Sequence, residues 1–89
     1  MKFTWDPRKA QSNLKSHRVS FDEASTIFGD RLAATIPDPD HSFGESRFVT
    51  IGVSSLGQLL VVSYTERGST TRIITARRAG AHERKQYES

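Results

Sequence analysis

The sequence has no cysteine, one tryptophan, one methionine and only three prolines among its 89 residues. Without cysteine there can be no disulfide, no thiolate zinc site and no cysteine nucleophile. No window approaches the ~18 apolar residues of a membrane span. The opening MKFTWDPRKA lacks the apolar stretch of a secretory signal. A cytoplasmic protein with no membrane partner is therefore expected. Phosphate-binding glycine loops and nucleophile-elbow serines are missing too. His17, His41 and His82 have no metal-ligand spacing. Asp38, Asp40 and His41 share a loop, but Asp and Pro there read as turn chemistry, so no metal or cofactor is expected.

What is present is patterned enough to fold: 35% of residues are hydrophobic and 26% charged. A chain of this length makes one small domain, residues 1–89, with a single core. The net charge of +3 is uneven. Residues 1–65 carry seven basic and seven acidic side chains, whereas residues 66–89 carry six basic and three acidic ones. Five of those six are arginine, whose planar fork matches phosphate oxygens.

The elements can be placed from caps and periodicity. Alternation around Phe3 and Trp5 predicts a first strand. Asp6-Pro7 is a helix start, because Asp accepts orphan amide hydrogens and Pro suits the first turn. That helix runs to about His17 with Ala10, Leu14 and His17 on one face. Ser20 and Glu23 have capping-box spacing, and Val19 with Ala24 the staple positions, so a second helix starts there. It turns Phe21, Ala24, Ile27 and Phe28 inward and ends near Gly29. The period then becomes extended. Leu32–Ile36 and Arg47–Val53 predict strands, and Ser54–Gly57 a hairpin turn. The apolar run within Gln58–Thr65 predicts a central strand buried on both faces. After a turn at Glu66–Ser69, Thr70–Ala76 forms a last strand and Ala79–Glu88 a polar helix. The fold class is α+β: two N-terminal helices on an antiparallel sheet, with a C-terminal helix.

The residues able to do chemistry lie in the second half. Cleaving RNA without metal needs an acceptor for the 2′-hydroxyl proton, a donor for the leaving oxygen, and cations around the phosphorane. Arg47, Arg72 and Arg77 can meet the phosphate, with Glu45 or Glu66 as proton acceptor and Glu66 slightly preferred. His41 and Tyr87 are candidates for protonating the leaving group. Glu45 and Arg47 are two apart and share a face if extended. Arg72 and Arg77 differ by an odd number, so strict alternation separates them unless Arg77 lies past the strand end. The competing explanation is a cross-strand ion-pair ladder of Glu45, Arg47 and Arg72. Trp5 and Tyr87 can stack on bases, although an N-terminal Trp in so small a chain is more often core.

Several stretches resemble one family. Trp5-Asp6-Pro7 with Ala10, Asn13-Leu14 and His17, then Val19-Ser20-Phe21, Glu23-Ala24, Phe28 and Asp30, resemble the first half of BrnT-type toxins. The similarity continues through Asp40-His41-Ser42, Glu45, Arg47, Ile51-Gly52, Leu60-Val61-Val62 and Thr65-Glu66-Arg67. It ends with Arg72-Ile73-Ile74, Ala76-Arg77, Glu83-Arg84 and Tyr87-Glu88. Two positions depart from the pattern: Ser16 where Lys is common, and Arg18 where Gly is frequent. The resemblance implies a RelE-like ribonuclease fold and a metal-independent endoribonuclease, the toxin of a type II toxin-antitoxin pair, that arrests translation and growth. It also implies RNA as substrate, a BrnA-like antitoxin with a ribbon-helix-helix domain, and operator DNA bound through that antitoxin. The alternatives from the residues alone are a non-catalytic nucleic-acid-binding module and an antitoxin-binding module using the same arginines.

Overall fold

The computed structural model of the chain describes residues 1–38 and 46–89. Strand β1 (Lys2–Thr4) leads into helix α1 (Pro7–His17) and helix α2 (Phe21–Ser25), which continues as a 3₁₀ turn over Thr26–Gly29. Then come β2 (Ala34–Pro37), β3 (Arg47–Val53), β4 (Leu59–Arg67), β5 (Thr70–Arg78) and helix α3 (Ala81–Glu88). The five strands form one sheet in the order β1-β5-β4-β3-β2. Strands β2 to β5 are an antiparallel meander, as expected. The edge strand β1 instead pairs parallel to β5, so the sheet is mixed rather than antiparallel throughout.

The caps act as the sequence implies. The Asp6 carboxylate accepts from the Arg8 amide at 2.8 Å, and the Ser20 hydroxyl from the Glu23 amide at 3.0 Å. Glu23 does not complete a capping box. Its buried Oε2 accepts from the Ser54 hydroxyl at 2.6 Å and from Gln58 Nε2 at 2.9 Å, which ties α2 to the β3–β4 turn.

Helices α1 and α2 cover one face of the sheet, here the inner face. There Val19, Phe21, Ala24 and Ile27 pack on Leu60, Val62, Tyr64, Ile73 and Ala76. Trp5 joins them edge-on to Phe21, with ring centroids 5.9 Å apart, and so belongs to the core. Gly52 lies where the 3₁₀ turn crosses β3; a Cβ there would stand 3.2 Å from that of Ile27. On the outer face Ile51, Leu59 and Val61 form a smaller cluster, covered by Ala79 and Tyr87. Leu59 to Val62 are thus all buried, as a central strand requires.

Helix α1 corrects one expectation. Leu14 is 50% exposed and His17 is exposed, while the buried residue is Asn13. Asn13 Nδ2 donates to the carbonyls of Val19 (3.0 Å) and Ala76 (2.8 Å), and its Oδ1 accepts from the Ala76 amide at 3.1 Å. Beyond Arg72, β5 has no strand on the side away from β4 among the described residues. The Asn13 amide satisfies that open edge as a neighbouring strand would.

Candidate nucleic-acid interface

The outer face has two ends of opposite character. At one end lie the apolar cluster and α3. At the other, β3 begins, β4 ends and β5 begins, and the register aligns Arg47 with Thr65 and Thr65 with Arg72. Directly opposed residues point to the same side, so two arginines flank one threonine in a single cross-strand row. Adjacent strands are ~4.8 Å apart, which places the two arginine backbones ~10 Å from each other. Guanidinium groups on such stems can converge on one phosphate.

Arg72 is half-buried, and its guanidinium makes no hydrogen bond or ion pair among the described residues. Thr65 is fully buried, and its hydroxyl has no hydrogen-bond partner among the described residues. Arg67, two residues beyond Thr65 on β4, shares this face and extends the cationic end. The charge count flagged Arg67 only as one of many. Its period-two relation to Thr65 was the signal that could have promoted it.

Arg77 is inside β5, not past its end. The register slips by one residue between Ser63 and Tyr64, leaving Ile74 as the extra residue of a bulge. That bulge reverses the parity, so Arg72 and Arg77 face the same side despite their odd spacing. They do not meet, however. Arg77 is opposite Val61, four residues along β4 from Thr65, or ~13 Å. Its Nη1 instead donates to Glu83 Oε1 on α3 at 3.0 Å. That bond, with one from the Gly80 amide at 2.8 Å, holds the Glu83 carboxyl down to about 2.

The other candidates are placed as follows. Glu66 is exposed and opposite Thr71, on the inner-face side of the sheet, away from the arginine row. Glu45 and His41 lie outside the described residues. Tyr87 sits at the apolar end, where its hydroxyl donates to Asp30 Oδ2 at 2.6 Å. That hydrogen bond raises the phenol's pKa and lowers that of Asp30, which also accepts from the Val53 and Leu32 amides. The phenol is thus the latch that docks α3. A groove of about 470 Å³ beside it, lined by Leu59, Arg78 and Arg84 among others, is likewise at the apolar end. Among the described residues no group of His, Asp and Glu has the makings of a metal site, and no helix is long and apolar enough to cross a membrane.

Three comparisons bear on identity. No curated protein matches the sequence. The crystal structure of the Brucella abortus ribonuclease toxin BrnT superposes with a TM-score of 0.71. That match covers 90% of this chain and 97% of the Brucella one at 24% identity, and it shows a shared fold. The model of the family described as "Ribonuclease toxin, BrnT, of type II toxin-antitoxin system" matches residues 5–83. The chain, with its mixed sheet, its three helices and nearly its whole length inside that match, belongs to the BrnT family of ribonuclease toxins.

Proposed function

We propose that this toxin is a metal-independent endoribonuclease whose phosphate site is the Arg47 and Arg72 pair, with Arg67 as the third cation. The reading is carried by the cross-strand row that sets Arg47 and Arg72 on either side of Thr65 on the open end of the outer face. In the reaction the 2′-oxygen bonds to phosphorus as the bond to the 5′-oxygen breaks. The arginines stabilise the negative charge that builds on the non-bridging oxygens. The 2′-hydroxyl proton passes to Glu45, and His41 delivers a proton to the departing 5′-oxygen; both residues precede Arg47 in the chain. Glu66 ranks behind Glu45 because of its opposite face. Arg77 holds a neighbouring phosphate of the same strand rather than the scissile one, since ~13 Å is too far for sharing one phosphate. Tyr87 takes no part in proton transfer in this scheme, its hydrogen being committed to Asp30.

In the cell this activity arrests translation and growth in the cytoplasm. A BrnA-like ribbon-helix-helix antitoxin neutralises it, and the pair binds operator DNA through the antitoxin. The test is cleavage of a bare oligoribonucleotide by purified toxin in EDTA, with and without antitoxin. Cleavage that needs added divalent metal would refute metal independence. Binding without cleavage in any condition would favour a non-catalytic module.

A further inference from the structure

A buried hydroxyl without a partner is uncommon, because it gives up water and receives nothing in return. Thr65 is such a case: 0% exposed, with Oγ1 unpartnered among the described residues. Valine has nearly the same shape, suits a strand equally well and leaves no polar atom stranded. The neighbours on both sides are arginines, which bring only donors, whereas the hydroxyl can accept and donate at once. Long arginine stems rise past a short threonine between them. A phosphate drawing the two guanidiniums together can bring N–H groups over Oγ1, since Thr65 lies between the two stems in the row.

We propose that Thr65 is a positioning residue for RNA cleavage, an inference that rests on the Arg47 and Arg72 row being the phosphate site. In the bound state its Oγ1 accepts from one of the two guanidiniums and fixes their spacing around the scissile phosphate. In the resting state the acceptor waits unpaired. Thr65 therefore weakens the free fold slightly and serves the complex.

The experiment compares full-length Thr65→Val, Thr65→Ser and Arg72→Ala proteins, measuring melting temperature and the kcat and KM for one oligoribonucleotide. Thr65→Val should melt at or above the wild-type temperature. Its kcat should fall by roughly 10- to 100-fold, the usual scale for a lost supporting contact, with little change in KM. Thr65→Ser, which keeps the hydroxyl, should restore kcat to within a few-fold of wild type. A Thr65→Val protein that melts well below the wild type would overturn the inference, because the hydroxyl would then have a partner in the resting fold. A folded Thr65→Ser protein as slow as Thr65→Val would overturn it as well. If Thr65→Val cleaves normally while Arg72→Ala does not, the inference fails and the phosphate site stands. If both cleave normally, the phosphate site itself is wrong.

Discussion

Replacing Asn13 by Ala is the sharpest test of how the sheet edge is held. The substitution removes three hydrogen bonds and leaves the Val19 carbonyl and both polar groups of Ala76 without a side-chain partner. Orphaned buried groups lose ~1–3 kcal/mol each. A shallow groove of about 250 Å³ lined by Asn13, Ser16 and Ile74 lets water reach part of the site, which favours the lower end. We expect a total loss of about 3 kcal/mol, set against roughly 4–13 kcal/mol for a chain of this length. With a urea slope of ~1–1.5 kcal/mol/M for a small domain, the unfolding midpoint should fall by ~2–3 M. The single tryptophan, Trp5, stacks edge-on to Phe21 and gives a fluorescence readout. Asn13→Asp should do no better at neutral pH. It keeps one acceptor for the Ala76 amide but sets a carboxylate against two carbonyl oxygens. A loss below about 1 kcal/mol for Asn13→Ala would refute the idea that this amide stands in for a missing strand, since even one orphaned group exceeds it.

Four further outcomes are expected. Arg72→Ala should lower cleavage by ~10²–10³ with an unchanged melting temperature, while Arg77→Ala should lower it less than tenfold, as suits a neighbouring phosphate; equal losses would put both arginines on one phosphate. Glu66→Gln should cleave like wild type, whereas Glu45→Gln should lose ~10²–10⁴ if that carboxylate is the base; the reverse result would restore Glu66. Arg18 caps α1 with φ 60°, so Arg18→Gly should raise unfolding free energy by up to about 1 kcal/mol, the net of left-handed strain and glycine entropy. Glu83 has its carboxyl lowered from 4.5 to about 2, so its contribution to holding α3 is complete above pH 4.5 and is lost as pH falls through about 2. Protection of the α3 amides from exchange, taken relative to the intrinsic rate at each pH, should hold to below pH 4 and then fall, a dependence that Glu83→Gln should remove.

Much of the fold can be seen in the sequence because its signals are local. Asp6-Pro7 and Ser20 begin helices through side-chain oxygens a few residues from the amides they receive. The apolar run at Leu59–Val62 reports its two-sided burial directly, whereas the alternating Arg47–Val53 is also buried on both faces, at Thr50, Ile51 and Gly52, because the 3₁₀ turn covers its polar side. The misses are long-range. The three residues of β1 pair with residues 68 positions later, and nothing local encodes a parallel partner. Hydropathy favoured Leu14 over Asn13 for the buried face of α1. The open edge of β5 needed hydrogen bonds there more than apolar area.

The site divides along the same line. Arg47 and Arg72 were legible as candidates because arginine chemistry and strand spacing are sequence properties, but their union in one row depends on the pairing of three strands. Arg77 shows the limit more clearly. Counting from Arg72 gives an odd number and the wrong face, and the single extra residue at Ile74 reverses that parity. A bulge inserts no distinctive residue, so it leaves the count intact and changes its meaning. The consequence reaches the chemistry. Without the bulge, Arg77 would point toward the core side and its bond to Glu83 would be lost. With it, the cations of the outer face are spread over ~13 Å of sheet, a length suited to a strand of several phosphates rather than to a single one. The same geometry leaves Glu66 behind, because no bulge intervenes between Thr65 and Glu66 to turn it toward the arginines. An RNA strand laid along β4 from the Thr65 row toward Val61 would meet cations at both ends.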